Sequence, residues 1–580
     1  MTVLMILLSI AVSAATCHVA LKLDNAYETA MPTVISALLS GIVQGCIQLW
    51  VLPAIGFFYP GPWMSLIIAG AIGAAIAFLS NRTILGVITP GFILVLLILI
   101  YVPTSCEMFH AKKYRSLIGS VQEKNFTEDI PPVKIEDIRL VSKSTAYVLA
   151  NKVLGQTKEG TVLGSQLEID TDSAAIQEVN GQLWWIFPLD FSGFFKWKNR
   201  EFVPGYIRVN AQNPTKKAEL IDADPATKKK FRLTYTRNAY FGNWLDRAVY
   251  WKYPRINHDE YTFEVDDEWR PYYVISAASP EIGFAGQQNR GVIIADPQTG
   301  KIELLAGNKI PAWVDRVKPL HQTINQVTYW GEYVHGWWNS FLGGKDIKVP
   351  TTFSYGKDMW FIIFKNRKYW FTGMTSASSK DQSLVGAIMV DTRTGRSTFY
   401  DINGTNENGV IEAVDAALGA DSSRWSPTQP IPYNLYGIPT WVLPIVSNEG
   451  IYQKVALVDM NNISSIAIDG DIYRAVEKYR EILSRHGATR NEAISDINGK
   501  QIIGPAKIIR MGDTVIGGNK TYYILIDGYE NRLFSSSGET DQTRVITLAR
   551  PGDSVTITFF PSNGQVVSIE SIRVHGLKLR

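Results

Sequence analysis

The chain has 580 residues, too many for one hydrophobic core, so several domains are expected. Its formal net charge of +3 gives no electrostatic basis for binding nucleic acid, and no nucleic-acid partner is expected. The three cysteines, Cys17, Cys46 and Cys106, all lie in or beside the apolar N-terminal region. Their position excludes a disulfide framework, a thiolate metal cluster and a cysteine nucleophile from the rest of the chain.

Four apolar runs fill the first 103 residues, and each approaches the ~20 residues that cross a bilayer. They are Thr2 to Leu21, Thr33 to Phe58, Trp63 to Leu79 and Ile84 to Val102. These runs predict four transmembrane helices, of which the third is the shortest, with the lipid bilayer as a partner. Pro53 and Pro90 lie inside the second and fourth runs, where each predicts a kink. The first run could instead be a cleaved signal peptide, but no Lys or Arg precedes it.

The sequence gives opposing signals for the side of the membrane that carries the remainder of the chain. Lys112, Lys113 and Arg115 follow the fourth run, whereas Lys22 and Arg82 lie on the other side, so the positive-inside rule favours a cytoplasmic location. The absence of cysteine after residue 106 favours an oxidising compartment. We expect an extracytoplasmic soluble region, with a cytoplasmic one as the alternative.

The segment after the membrane region is polar and contains prolines, which predicts a linker over residues 107–137. Ser142 to Leu154 then predicts a short helix, with Ser144 and Thr145 as N-cap candidates. Strand-like alternation follows in Gly181 to Asp190 and in Gly205 to Ala211.

An aromatic or tryptophan-bearing pair recurs four times, and ~20 to 25 residues later a second strand runs into a polar turn. The copies are Trp184-Trp185 with Ile207 to Asn210, Tyr272-Tyr273 with Val292 to Asp296, Tyr369-Trp370 with Ala387 to Asp391, and Thr440-Trp441 with Val455 to Asp459. The turns at Asp296 and Asp391 have the sequence Asp-x-x-Thr-Gly. An Asp side chain accepts hydrogen bonds from backbone N–H groups two or three residues later, and Gly adopts a left-handed conformation. The turns therefore predict tight hairpins rather than calcium or catalytic sites.

A short helix followed by an antiparallel sheet and a polar turn resembles the PepSY module of secreted and membrane-anchored bacterial proteins. The best matches are Val390 to Gly395 and Ala295 to Gly300. The copy ending at Asn210 lacks the Thr-Gly pair, and Asp459 is followed by Met-Asn-Asn, so these two depart from the pattern. The resemblance covers residues 138–485 and implies an adapter, inhibitory or peptide-binding role rather than a defined chemistry.

The C-terminal region differs in texture from the repeats. Ile472 to Leu483 predicts a closing amphipathic helix. Short strands divided by glycine then predict a small closed barrel of OB or similar type, used for assembly or spacing. The predicted strands are Gln501 to Ile509, Thr521 to Gly528, Arg544 to Ala549, Pro551 to Phe560 and Gln565 to Val574.

The predicted fold is an N-terminal all-α transmembrane bundle of about four helices, then α+β repeat modules with antiparallel sheets, then a small OB-like β-barrel. The predicted boundaries are 1–106 for the transmembrane region, 107–137 for the linker, 138–255, 256–345, 346–410 and 411–487 for the four modules, and 488–580 for the barrel.

One segment stands out because it does not repeat. Glu332 and His335, three residues apart, would share one face of a helix and could form a proton-transfer or metal-binding pair. Two ligands do not make a zinc site, which needs at least three from the protein, so no metal is predicted. Together with Trp330, Trp337 and Trp338 they form the candidate contact region.

The chain contains no H-E-x-x-H, Walker A, G-x-G-x-x-G or G-x-S-x-G motif, so no catalytic residue and no cofactor is predicted. The leading hypothesis is a membrane-anchored, non-enzymatic scaffold or binding protein of bacterial or phage origin, acting through protein or peptide contacts of its modules. One alternative is a membrane-bound hydrolase or metal-dependent enzyme that uses Glu332 and His335. A channel or transporter component is the second alternative, and the lack of acidic or basic residues in the middle of the spans argues against it.

Overall fold

The computed structural model describes residues 1–155, 157–158, 161–353, 356–364, 367–378, 382–485, 501–516, 519–536, 543–559 and 566–577. These residues form two compact units. The first unit contains Met1–Asn125, Arg139–Gly409 and Glu449–Ile451, and the second contains Phe126–Ile138, Val410–Asn448 and Tyr452–Arg580. The predicted N-terminal bundle of four apolar helices, followed by many antiparallel sheets, is confirmed.

The four N-terminal helices are long and apolar enough to cross a membrane. They are α1 Thr2–Leu23, α2 Ala30–Cys46, α3 Pro60–Asn81 and α4 Ile88–Ser105. A π-helical turn, Ile47–Val51, extends α2, and a 3-10 turn, Leu85–Val87, precedes α4. The third helix has 22 residues and is not the shortest of the four, because it begins at Pro60 instead of Trp63, and proline is well suited to the first helical position.

The prediction of kinks at Pro53 and Pro90 is wrong, because both prolines lie at helix ends. Pro53 follows the π-helical turn, after Leu52 has adopted a left-handed conformation with φ of 53°. Pro90 lies in the first turn of α4, where backbone N–H groups have few helical acceptors.

Small residues bring the helices of the bundle close together. The Ser36 hydroxyl donates to the Ser13 carbonyl oxygen across 3.4 Å, and the Ser40 hydroxyl donates to that of Ser9 across 3.1 Å. A methyl group added at Gly73 would lie 2.4 Å from the Ser13 carbonyl oxygen. Small residues in α1, α2 and α3 therefore serve close helix packing within the chain.

The remaining helices follow the bundle in the chain. They are α5 Glu107–Ser116, α6 Phe126–Asp129, α7 Lys143–Leu154, α8 Phe194–Arg200, α9 Leu245–Lys252, α10 Leu320–Glu332, α11 Glu407–Leu418 and α12 Ile472–Arg485. The strand before the first sheet is β1 Val121–Lys124. Helix α5 and strand β1 give regular structure to part of the segment that composition predicts as a linker. Ser142 caps α7 by accepting a hydrogen bond from the Thr145 N–H at 3.1 Å, so neither predicted N-cap candidate is the cap.

The other strands of the first unit form three main sheets. The strands up to the end of the first sheet are β2 Thr157–Lys158, β3 Thr161–Val162, β4 Leu167–Ile169, β5 Ala175–Val179, β6 Gln182–Phe191, β7 Tyr206–Asn210 and β8 Glu219–Ile221. Those of the second sheet are β9 Asn257–Val265, β10 Pro271–Ile282, β11 Ala285–Ala295 and β12 Ile302–Leu305. The third group is β13 Val349–Pro350, β14 Thr352–Phe353, β15 Gly356–Lys357, β16 Trp360–Phe364, β17 Arg367–Thr375, β18 Ser383–Leu384, β19 Gly386–Asp391, β20 Ser397–Tyr400 and β21 Gly404–Thr405.

The second unit contains a fourth sheet and the C-terminal strands. The strands of the fourth sheet are β22 Trp425–Pro427, β23 Ile431–Leu435, β24 Ile438–Ser447, β25 Tyr452–Asp459 and β26 Ile466–Asp469. The C-terminal strands are β27 Gln501–Ile516, β28 Asn519–Ile526, β29 Leu533–Ser536, β30 Ser554–Phe559 and β31 Val566–Val574.

Each of the four sheets contains an antiparallel meander of four strands, and a helix precedes each meander. The meanders are β5-β6-β7-β8 after α7, β9-β10-β11-β12 after α9, β16-β17-β19-β20 after α10, and β23-β24-β25-β26 after α11. The repeated aromatic strand pairs with its predicted partner in every copy: Trp184 lies opposite Asn210, Tyr273 opposite Ala295, Trp370 opposite Val390 and Trp441 opposite Val458. Short-range sequence pattern thus identified the central hairpin of all four sheets.

The polar turns form tight hairpins as predicted, and each connects the third strand of its meander to the fourth. The Asp391 carboxylate accepts from the N–H groups of Arg393 and Thr394 at 3.0 and 2.8 Å, and Gly395 has φ of 74°. Asp296 accepts from the Gln298 N–H at 2.8 Å in the same way. The two copies that depart from the pattern form the same kind of turn. Their Asn210 and Asp459 side chains each accept a hydrogen bond from the backbone N–H two residues later.

One hydrophobic core in the first unit draws side chains from all three of its sheets, including Phe187, Ile275 and Trp370. Buried charges also meet there. Lys368 lies 3.3 Å from Asp315 and 3.6 Å from Glu178, so its ammonium group offsets part of the charge of these acids. Asp315 also donates its backbone N–H to Glu264 across 2.8 Å.

The fourth sheet packs against α12, whose predicted apolar face is confirmed because Val476, Tyr479 and Leu483 are buried. The C-terminal strands pair in the closed order β27-β28-β29-β31-β30. Arg544 to Ala549, predicted as a strand, instead contains a 3-10 turn over Arg544–Leu548, and the third strand is β29. Ile546 and Ala549 are buried in the core of these strands, whereas Leu548 is exposed, so burial follows the three-residue spacing of the 3-10 turn and not strand alternation.

Candidate binding cleft at the membrane end of the first unit

The second sheet and α9 lie directly on the ends of the transmembrane helices. The Ile55 N–H donates to the Pro254 carbonyl oxygen at 2.7 Å, and the Phe284 N–H donates to the Ser105 hydroxyl at 2.8 Å. The Tyr250 hydroxyl, on a fully buried side chain, donates to the Gln48 side chain and to the Pro53 carbonyl oxygen, the latter at 3.0 Å. The sheet is therefore fixed to the bundle by specific contacts rather than joined by a tether.

The β10–β11 hairpin makes the closest of these approaches. Gly283 has φ of 56°, and a methyl group added there would lie 2.3 Å from the Ser105 hydroxyl. The neighbouring Phe284 ring packs against Phe58 and Tyr101, with ring centroids 5.6 and 6.1 Å apart. Glycine is needed at position 283 because a larger residue would both strain the turn and lift the hairpin from α4.

A cleft of about 360 Å³ opens beside α9, and we call it the membrane cleft. Its wall combines the end of the second transmembrane segment with the first sheet and the segment that leads into α9. The lining residues are Trp50, Glu168, Phe191, Gly193, Arg237, Asn238, Ala239, Tyr240, Phe241, Trp244 and Arg247.

Aromatic rings form much of this wall and continue beyond it. The Trp50 and Trp244 rings lie 5.9 Å apart, and Phe194 packs edge-on against Tyr240 at 5.1 Å. Trp50 is 62% exposed and Phe241 is 61% exposed. Phe241 also has φ of 50°, a rare conformation for a bulky residue. The mouth of the cleft is thus an exposed aromatic surface next to a membrane-spanning helix, where amphipathic rings are commonly found.

Arg247 supplies a positive charge to the cleft and has no ion-pair partner among the described residues. It is only 8% exposed, and its guanidinium lies over the rings of Trp244 and Trp251 at 5.4 and 5.2 Å. One of its N–H groups donates to the Phe241 carbonyl oxygen. Within the described part of the chain, no carboxylate oxygen lies within 4.0 Å of it.

The other charged groups of the cleft have partners. Arg237 lies 3.4 Å from the Asp246 carboxylate and stacks on the Tyr261 ring at 4.6 Å. The Glu168 carboxylate accepts from the Asn238 side-chain amide at 3.0 Å. Arg247 is therefore the lining cation without a carboxylate within 4.0 Å among the described residues, and Glu168 lines the same cleft without a cationic partner.

A buried carboxyl group shapes the segment that lines the cleft. Asp190 accepts from the Thr236 hydroxyl at 2.6 Å and from the Asn238 N–H at 2.9 Å. Burial raises the pKa of Asp190 to about 7, although these hydrogen bonds favour the charged form. Its role is structural, because it fixes the backbone next to Arg237 and Tyr240.

A second cleft of the same volume, about 360 Å³, lies beside β8, and we call it the sheet-edge cleft. Arg208 stands there between two tryptophan rings, 4.7 Å from Trp184 and 4.2 Å from Trp269. Unlike Arg247, it lies 2.7 Å from a carboxylate, that of Glu219. Its charge is therefore matched within the protein.

The structure separates the two residues predicted to act as a pair. Helix α10 ends at Glu332, so His335 lies beyond the helix and does not share its face. Glu332 binds Lys357 at 2.9 Å, and the His335 ring lies 2.8 Å from the Asp346 carboxylate. The prediction assumed that the helix would continue, but Gly336 has φ of 84° and the chain turns there.

The tryptophans of the candidate contact region have different environments. Trp330 packs against Phe399 in the main core, with ring centroids 5.6 Å apart. Trp337 stacks on Phe341 at 5.0 Å and contacts the core around α5. Trp338, Phe341 and Leu342 are 60%, 68% and 74% exposed. The region therefore ends in an apolar tip, which we define as residues 338–342.

Among the residues that the structure describes, no group of three His, Cys, Asp or Glu side chains is placed to hold a metal ion. The chain matches no known protein-family model, and no curated protein matches it in sequence.

Proposed function

We propose that the chain is a membrane-anchored, non-enzymatic scaffold whose modules act through contacts with proteins or peptides. The observation that carries the proposal is the apolar tip, residues 338–342, with three large apolar side chains exposed together. Isolated exposed apolar residues are ordinary, but a contiguous group indicates an interaction surface. The tip adjoins the small core around α5, in which the Tyr333 hydroxyl donates to the Glu107 carboxylate at 2.6 Å.

The resemblance to PepSY modules belongs to this proposal. It is supported by the four helix-plus-meander units and by the repeated turns at Asp296 and Asp391. We also propose that the C-terminal barrel is OB-like. Its closed strand order, with β29 parallel to β31, supports a five-stranded Greek-key barrel, and Phe534 is buried inside it instead of forming a binding platform.

The alternative of a hydrolase or metal-dependent enzyme gains no support from the site. Glu332 and His335 each have a separate ionic partner, and the His335 ring is about half exposed. General acid–base catalysis would need these groups within hydrogen-bond reach of one substrate atom.

The proposal places the modules outside the cytoplasm, as the cysteine-free sequence favours, whereas Lys112, Lys113 and Arg115 favour the cytoplasm. Ser378 is exposed and suits an introduced cysteine. In intact cells, a membrane-impermeant maleimide should label Ser378→Cys without lysis. Labelling only after lysis would place the modules in the cytoplasm.

Photo-crosslinking tests the contact proposal. A photoreactive phenylalanine analogue at Trp338 should give protein adducts in cells, whereas the same analogue at the exposed turn residue Lys301 should not. Adducts at Trp338 with lipid alone would contradict a protein or peptide partner and would make the apolar tip a membrane contact.

A further inference from the structure

We propose that the membrane cleft binds a phospholipid headgroup, with the lipid phosphate held by Arg247. This adds a lipid site to the protein and does not depend on which protein or peptide contacts the apolar tip.

The charge of Arg247 favours an anionic ligand. Transferring a cation from water into a protein is costly unless a counter-charge or several hydrogen bonds compensate it. The Arg247 side chain has stacking contacts and one carbonyl acceptor, but no carboxylate within 4.0 Å among the described residues. Arg208 has equivalent stacking contacts and also the Glu219 carboxylate. The two arginines therefore have similar stacking contacts and differ in their ion pairing, although the sheet-edge cleft also contains Asp222, Asp224 and Lys228 in its wall.

The stacked guanidinium of Arg247 has a geometry suited to binding a phosphate group. Rings over its faces leave the N–H groups at its edge, where they can bind two phosphate oxygens together. Trp244 and Trp251 occupy the ring-stacking positions, while Arg247 lines an open cleft of about 360 Å³. A headgroup phosphate fits this combination of planar cation and open volume.

The cleft lies at the end of a candidate membrane span, where a lipid headgroup can reach it. Trp50 lies in the π-helical turn at the end of the second candidate membrane span, and it lines the cleft. Phe195 and Trp251, exposed beside the cleft, add aromatic surface of the kind found at headgroup depth. A lipid whose phosphate reaches Arg247 can therefore keep its acyl chains against the bundle.

The charges that line the cleft favour a lipid phosphodiester over free phosphate. Glu168 lines the same cleft, and Asp246 already neutralises Arg237, so one positive charge is left facing one carboxylate. A phosphodiester carries a single negative charge, and free phosphate near neutral pH carries more. Repulsion from Glu168 disfavours the more highly charged ion.

The test uses the purified full-length protein in an uncharged detergent, titrated with dihexanoylphosphatidylglycerol while the thermal midpoint of tryptophan fluorescence is recorded. The lipid should raise the midpoint of the wild type. Arg247→Gln should weaken the apparent affinity about tenfold or more, as expected for loss of a charge-assisted hydrogen bond. Arg208→Gln is the matched control and should keep the wild-type affinity.

Equal weakening in Arg247→Gln and Arg208→Gln would overturn the proposal, as would an equal midpoint rise with inorganic phosphate alone. Arg247→Lys guards against a folding defect, because it keeps the charge and should bind more tightly than Arg247→Gln. If both Arg247 variants bind like the wild type, the phosphate is not held by Arg247 and the proposal fails.

Discussion

The membrane cleft and the sheet-edge cleft each contain an arginine that contacts two tryptophan rings, but only the arginine of the sheet-edge cleft is paired with a carboxylate. Each has a volume of about 360 Å³ and an arginine over two tryptophan rings. Glu219 neutralises Arg208 in the sheet-edge cleft, whereas the described protein groups leave Arg247 without a carboxylate. Stacking on tryptophan is common to both clefts and does not distinguish them. The unpaired arginine and the adjoining membrane-spanning helix belong to the membrane cleft alone.

The largest expected effect comes from weakening the packing of α9, the helix that carries Arg247, against the transmembrane bundle. Tyr250→Ala removes a fully buried side chain that packs with Met5 and Ile55. We expect a loss of about 3 to 5 kcal/mol in the free energy of unfolding of the first unit. Urea titration followed by tryptophan fluorescence measures it. Tyr250→Phe keeps the ring and should cost only about 1 to 2 kcal/mol, through the lost hydroxyl donor to Gln48 and Pro53.

Asp190 supplies the buried carboxyl group that fixes one wall of the membrane cleft, and its removal should have the second largest effect. Asp190→Ala leaves the buried Thr236 hydroxyl and the backbone N–H of Asn238 without their acceptor. We expect destabilisation of about 2 to 4 kcal/mol in the same urea titration, and weaker lipid binding. Asp190→Asn retains an acceptor oxygen and should lose less. If Asp190→Ala unfolds like the wild type, Asp190 does not organise the cleft wall.

The third prediction concerns pH. Burial raises the pKa of Asp190 from 3.8 to about 7, so the folded state retains a proton that the unfolded state releases. Stability is then full below pH 4 and falls as the pH rises through about 7, with a slope of at most about 1.4 kcal/mol per pH unit from one group. Asp190→Asn should flatten the slope. Burial, together with the neighbouring Glu264 carboxylate, also raises the pKa of Asp315, so part of the slope should persist.

The fourth prediction has the smallest effect and tests the role of the membrane. Glu219→Gln leaves Arg208 without its carboxylate, as Arg247 is in the wild type. Because Glu219 is half exposed, the cost should be at most about 1 kcal/mol. The variant should not gain a phospholipid, since the cleft lacks a residue from the transmembrane helices. A second bound lipid in Glu219→Gln would show that an unmatched arginine is sufficient.

Local sequence patterns predicted the repeated part of the fold well. The four apolar runs correspond to α1 to α4, and the aromatic pairs found their partner strands because hairpin register depends on neighbouring residues. Helix ends were less predictable. The pattern at Glu332 and His335 fits a helix, but the chain turns at Gly336, so the two side chains do not share a face.

The membrane cleft was not predicted from the sequence because its residues are distant in the chain. Trp50, Glu168 and Arg247 come together only when the first sheet and α9 meet the end of the second transmembrane segment. No periodicity or motif joins such positions. The signal available in the sequence was the density of aromatic residues near Arg247. Trp244 precedes Arg247 by three residues, and Trp251 follows it by four. Periodicity alone assigns such rings to a core.

The most direct test of the central claim is a solid-state NMR dephasing measurement between the arginine side-chain carbons and lipid phosphorus in reconstituted, full-length protein. We expect a short carbon-to-phosphorus contact that disappears in Arg247→Gln and persists in Arg208→Gln. The same dephasing in the wild type and in Arg247→Gln would contradict the claim that Arg247 holds a lipid phosphate.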